Sequence, residues 1–138
     1  MDIHAHLQNR RDEHQVKLTT NGNEHELIIA PKTGGYGSSV NGGELLCLAL
    51  ATCYCNDLYR EAAKRGIVVE NVEVDVECEF EKDGRPAKFI GYRARVSAYA
   101  NQDVIRELMV ITNRMAEIQN TVRKGLPINL ENIEAISL

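Results

Sequence analysis

Gly42-Gly43-Glu44-Leu45-Leu46-Cys47-Leu48-Ala49-Leu50-Ala51-Thr52-Cys53-Tyr54-Cys55 is the most apolar run of the chain and holds three of its four cysteines. The run continues from Asn56 to Lys64 without a proline and stops at Arg65-Gly66. Ala and Leu favour a helix. Glu44 stands where the helix dipole favours a negative charge, and Lys64 and Arg65 where it favours a positive one. Gly66 suits the left-handed position that closes a helix. The pattern predicts one helix over residues 44–65 with Asn41 as its cap. Its apolar first half is expected to be buried, with the rest of the chain as what buries it.

Upstream, residues 3–8 are expected as an edge strand, 9–12 as a turn, and 15–20 and 26–30 as a hairpin. Asn21-Gly22 between the hairpin arms is the strongest short hairpin signal. Residues 31–43 are rich in Gly and Ser and read as a loop. A phosphate cradle there would need a Gly-Lys-Ser/Thr ending, which is lacking, so a mobile lid or a plain connector is the better reading. Downstream, Val72, Val74, Val76, Cys78 and Phe80 alternate with Glu73, Asp75, Glu77, Glu79 and Glu81. That is a strand with one buried and one wet face. Ile90, Tyr92, Ala94, Val96 and Ala98 form a second, with Arg93 and Arg95 outward. Antiparallel pairing brings these arginines near the acidic row and accounts for both charge rows without a ligand. Residues 103–124 carry apolar side chains at helical spacing and are expected as one helix, closed by Gly125-Leu126-Pro127. Residues 128–136 are expected as a final strand. The order is α+β with a strongly antiparallel sheet.

A length of 138 residues fits one domain, 1–138. A net charge of −4 without a basic run argues against nucleic acid or an anionic membrane as the main partner. No 18-residue apolar span and no secretory leader is visible, so a cytoplasmic location and reduced thiols are expected. Cys53-Tyr54-Cys55 lacks zinc spacing. His4-Ala5-His6 places two imidazoles on one strand face, but no third ligand is near in sequence.

Asn41-Gly42-Gly43-Glu44-Leu45-Leu46 followed by Ala51-Thr52-Cys53 resembles the reactive helix of the OsmC/Ohr hydroperoxide-resistance family. Ala62-Ala63-Lys64-Arg65-Gly66-Ile67 and Gly125-Leu126-Pro127-Ile128 extend the likeness in outline over most of the chain. The resemblance implies an OsmC-like α+β fold, with antiparallel sheets packed on a long central buried helix. It implies an intertwined homodimer with active sites at the subunit interface. The implied activity is thiol-dependent reduction of organic or inorganic hydroperoxides, with no cofactor and no metal. Cys53 matches the attacking cysteine. Arg11 of Arg11-Asp12 matches the arginine that lowers its pKa, and Arg10 is the neighbouring alternative. Glu44 is nearest to the glutamate that orients that arginine. The matching position is Gly43, however, and Glu44 lies about 180° round the helix from Cys53, so it can cap or orient another group.

The family's resolving cysteine matches Ala116 and Glu117, where this chain has no thiol. Cys55 is about 200° round the helix from Cys53 and cannot easily replace it. Cys47 and Cys55 are separated by roughly 12 Å along the helix. Cys78, on the inward face of its strand, can meet a helix thiol, and sequence leaves open which one. Otherwise an external thiol reductant must resolve the oxidised cysteine. Buried cysteines in an Ala/Leu helix are most often small apolar residues, so Cys47, Cys55 and Cys78 have that plain reading beside the redox one. A competing expectation from another class is an OsmC-like fold without peroxidase chemistry that binds a small apolar ligand at the dimer interface.

Overall fold

The computed structural model describes all of residues 1–138. The chain forms two compact units, Met1–Leu46 and Cys47–Leu138, and its strands pair antiparallel throughout.

In the first unit, β1 (Ile3–Arg10), β2 (Glu13–Thr20) and β3 (Asn23–Glu26) form a sheet in the order β1-β2-β3, with β1 at the edge as expected. Asn21-Gly22 joins β2 to β3 with φ of 48° and 82°. Two consecutive positive φ values give the turn whose twist matches the flanking strands. The ladder therefore resumes at once, with Thr20 opposite Asn23. The second arm falls at Asn23–Glu26 instead of 26–30, because turn geometry sets its start, and the apolar residues 27–30 follow as irregular chain. The Gly-rich loop is a tethered connector. The Gly37 N–H donates to Asn9 Oδ1 (2.9 Å), Asn9 Nδ2 donates to the Gly37 carbonyl (3.2 Å), and the Asp12 N–H donates to the Gly35 carbonyl (3.1 Å).

Helix α1 (Gly42–Lys64) begins in a reciprocal cap. The Glu44 N–H donates to Asn41 Oδ1 (2.9 Å), and the Asn41 N–H donates to Glu44 Oε2 (2.8 Å). Two otherwise orphaned N–H groups are thereby satisfied. The helix ends at Gly66, φ 65°. There the Gly66 N–H donates to the Ala63 carbonyl (3.2 Å) and the Ile67 N–H to the Ala62 carbonyl (3.0 Å), which is the Schellman closure.

In the second unit, β4 (Val69–Glu79) and β5 (Phe89–Ala98) form an antiparallel ribbon. Val72 pairs with Val96, Val74 with Ala94 and Val76 with Tyr92, while Glu73 faces Arg95 and Asp75 faces Arg93. The expected charge rows meet: Arg95 lies 4.0 Å from Glu73 and Arg93 3.6 Å from Glu77. Two helices follow, α2 (Gln102–Met115) and α3 (Glu117–Lys124). Tyr54, Leu58 and Ala62 of α1 and Leu108 of α2 form the core against Val72, Val74, Tyr92, Ala94 and Val96. No helix is long and apolar enough to cross a membrane.

Three expectations are corrected here. The buried residues Tyr54, Asp57, Leu58, Glu61 and Ala62 lie in the second half of α1 and Leu50 alone in its first, where Leu48 is 59% exposed. The ribbon covers the face that carries Tyr54, Leu58 and Ala62, so apolar content alone did not decide burial. Residues 103–124 are two helices, because Ala116 leaves the helical range at ψ 105°. Side chains take carbonyls near that break: Asn120 Nδ2 donates to Arg114 O (3.0 Å) and Arg123 Nη1 to Asn113 O (3.2 Å). Residues 128–136 form no strand, and Ile128 is 99% exposed. A strand needs a neighbour for its N–H and C=O groups, and no segment of the chain pairs with this one.

Glu61 is buried between two cations, with Lys64 Nζ at 2.7 Å and Arg65 Nη1 at 2.8 Å. Their hydrogen bonds lower its carboxyl from 4.5 to about 2. A lowered folded-state pKa contributes stability above the unfolded value, and that stability is lost as pH falls through the folded value. Stability should therefore decline from pH 4.5 to about 2. Glu61→Gln, which does not titrate, should be less stable at neutral pH and show a shallower decline in urea unfolding at stepped pH. Equal slopes for the two proteins would contradict the assignment.

Candidate functional site

Cys53 lies on α1 one turn before Asp57, so both side chains leave the same helix face. The Cys53 thiol donates to Asp57 Oδ2 at 3.4 Å and lies 4.0 Å from Glu117 Oε2. Arg60, one turn beyond Asp57, binds both carboxylates. Its Nη1 is 2.9 Å from Asp57 Oδ1, and its Nη2 is 3.4 Å from Glu117 Oε1. The result is a cluster of one thiol, two carboxylates and one guanidinium. The break at Ala116 starts a new helix at Glu117, the residue that faces the thiol. Two residues on, the buried Gln119 donates from Nε2 to the Leu50 carbonyl (2.8 Å), and its Oε1 has no partner.

The electrostatics follow from this arrangement. Burial pushes the Cys53 thiol above its ordinary value, and the hydrogen bond and charge of Asp57 push it further up. Burial also raises the Asp57 carboxyl. Glu117 moves the other way, held down chiefly by its own backbone N–H at the start of α3. Asp57 is thus the better proton acceptor of the two and already receives the thiol's hydrogen bond. Cys53, Asp57 and Glu117 can each offer one ligand atom, all within 4.8 Å of one another. Arg60 already pairs with both carboxylates, and a metal ion would have to displace that pairing.

The other sequence candidates each have their own local partners. Arg11 is in the β1–β2 turn of the first unit, its side chain 70% exposed and 3.8 Å from Asp12. Arg10 lies 4.0 Å from Glu13. The Glu44 carboxylate is engaged in the cap of α1. Cys55 lines an open groove of about 270 Å³ with Ala51, Thr52, Asn56, Val72 and Val74. Cys78 meets Cys47, which answers the question sequence left open. Asp57, Arg60 and Gln119 were missed. The i, i+4 spacing of Cys53 and Asp57 was the available signal for Asp57. Glu117 was noted only, with Ala116, as a position that lacks a resolving thiol.

The family model described as OsmC-like protein matches residues 35–131. Among solved structures, the chain is similar to an OsmC-like protein from Mycoplasma pneumoniae, at 16% identity, 91% coverage of each chain and a TM-score of 0.61. It is also similar to an organic hydroperoxide resistance protein OsmC from Legionella pneumophila, at 20% identity, covering 89% of this chain and 90% of that one, TM-score 0.58. A third similar structure is the organic hydroperoxide resistance protein OhrB of Bacillus subtilis, at 15% identity, covering 91% and 93%, TM-score 0.54. At these identities the likeness shows the fold. No curated protein matches the sequence.

Replacing Asp57 by Asn removes a negative charge next to Cys53 while keeping its size. The pH profile of Cys53 alkylation should shift to lower pH in Asp57→Asn, read by peptide mass spectrometry after pulsed iodoacetamide. An unchanged or upward-shifted profile would remove Asp57 from the control of this thiol.

Proposed function

Because the chain belongs to the OsmC-like protein family, we propose that it is a thiol-dependent hydroperoxide reductase acting through Cys53. The observation that carries the reading is the Cys53 thiol hydrogen-bonded to a buried carboxylate that a guanidinium holds in place. In the proposed reaction Asp57 takes the thiol proton. The thiolate attacks the distal oxygen of ROOH, the O–O bond breaks, and the alkoxide leaves as ROH with the proton held at Asp57. Cys53 becomes a sulfenic acid. An external thiol then forms a mixed disulfide with Cys53 and releases water, and a second thiol restores the free cysteine. The external reductant is required in this reading because the positions matching the family's resolver carry Ala116 and Glu117, neither of them a thiol.

Burial and two carboxylates hold Cys53 in the thiol form, so the reading also needs a cation that favours the thiolate. Arg11 is proposed for that role on the strength of the family resemblance, with Arg10 as its alternate. Glu44 acts in this reading as a positioning residue through the start of α1. The chain is proposed to act as a single OsmC-like domain in a cytoplasmic homodimer. The exposed Leu48, Ile128, Leu130 and Ile133 support that assembly as apolar surface for a second copy to cover.

One observation favours a second reading. The raised thiol and the carboxylate of Glu117 opposite it suit a fold that has left peroxidase chemistry and binds a small apolar ligand. Copurification of such a ligand, seen by native mass spectrometry, would support it.

The two readings separate in a coupled peroxide-consumption assay with a dithiol reductant. Cys53→Ser should lose all turnover. Arg11→Ala should lower kcat/KM by about a hundredfold, the scale of an electrostatic activator. Asp57→Asn should also lower it by about a hundredfold, the scale of a proton acceptor, despite its lower thiol pKa. Full turnover by Cys53→Ser would refute the proposal.

A further inference from the structure

The four cysteines fall into two separate settings. Cys53 faces Asp57 and Glu117. Cys47, six residues earlier, is about 120° round the helix and roughly 9 Å along it. It faces the opposite structural partner, strand β4, where its sulfur lies 2.7 Å from that of Cys78. Both thiols are half-buried and unbonded. Their positions are fixed by regular backbone. Cys47 sits within α1, and Cys78 sits in the β4–β5 ladder opposite Ile90. A disulfide bond is about 2.05 Å long, so closure asks for a movement of less than an ångström at flexible side-chain ends.

We infer that Cys47 and Cys78 form a dithiol–disulfide couple, a second redox centre distinct from Cys53, whose exchange partner is a low-molecular-weight disulfide. The exchange is balanced in two steps. The Cys47 sulfur attacks one sulfur of RSSR and loses its proton. The RS–SR bond breaks, a Cys47–SR mixed disulfide forms, and one RSH leaves. The Cys78 sulfur then attacks the Cys47 sulfur and loses its proton. The mixed disulfide breaks, the Cys47–Cys78 bond forms, and a second RSH leaves. The two cysteines together give up two electrons, and RSSR takes them. The reverse sequence, with two RSH, restores both thiols.

The order of attack follows from the surroundings. Burial and the hydrogen bond with Cys47 hold the Cys78 thiol up to about 11. Cys78 is therefore the slower of the two attackers toward a free disulfide and takes the second, intramolecular step, in which the target sulfur is already beside it. The product would tie α1 to β4 across a separation of 31 residues. Such a link restricts the unfolded chain. The couple is independent of the peroxidase reading: neither Asp57, Glu117 nor Cys53 takes part.

The test uses the reduced full-length protein in oxidised and reduced glutathione mixtures of stepped ratio, quenched in acid and alkylated under denaturing conditions. The expected product has lost two hydrogens, keeps two alkylatable thiols at Cys53 and Cys55, and yields a Cys47–Cys78 cross-linked peptide. Cys53→Ser should form the same cross-link, which separates this result from any failure of peroxide chemistry. Cys47→Ser should lose it. The wild-type peptide map stands without any variant, so misfolding of a substituted protein does not decide the matter. Four alkylatable thiols at every ratio, a glutathione adduct that never advances to an internal bond, or a cross-link at other positions would each overturn the inference.

Discussion

Two carboxylates, Asp57 and Glu61, are buried one turn apart on α1, and each has to be kept paired. An unpaired buried charge costs several kcal/mol, whereas one held by cations and hydrogen bonds is tolerated. The cations come from the same helix and the turn that closes it: Arg60 for Asp57, and Lys64 and Arg65 for Glu61. Tyr54, Leu58 and Ala62 run through this polar segment and supply the apolar contact with the ribbon. Two adjacent faces of the helix therefore do two jobs. One packs the core, and the other fixes a charged environment around the thiol of Cys53.

The break at Ala116 completes that environment. A continuous helix would carry residues 117–119 onward along the axis of α2. With the break, α3 turns Glu117 toward Cys53 and Gln119 toward the Leu50 carbonyl. The new helix start also supplies the backbone N–H that keeps Glu117 ionised. Arg60 then bridges Glu117 and Asp57, so two segments far apart in sequence meet at one guanidinium. The site thus depends on a local departure from helical geometry as much as on the helix that carries the cysteine.

Much of the fold was legible where a single local rule dominates. Strict alternation identified β4 and β5 and foretold the pairing of their charge rows. Asn21-Gly22 identified the first hairpin, and Asn41 and Gly66 the ends of α1. The misses share a cause: each required knowing what lies opposite. Residues 128–136 were expected as a strand but have no partner strand in the chain. Leu48 is as apolar as Leu58, but only Leu58 meets the ribbon. Spacing across 103–124 is helical on both sides of Ala116 and does not mark the break. At the site, Cys53 stood out through its helix context. Asp57 and Arg60 lie in the charged second half of that helix and were not singled out, and the meeting of Glu117 with Cys53 depends on tertiary structure.

We propose that Cys53, in its setting of Asp57, Arg60 and Glu117, is the thiol that reduces hydroperoxide. The most direct test is peptide mass spectrometry of the reduced protein after brief exposure to one equivalent of cumene hydroperoxide with dimedone present. The account predicts consumption of the peroxide and a dimedone adduct on Cys53, the mark of a sulfenic acid. Intact peroxide together with unmodified Cys53 would contradict it.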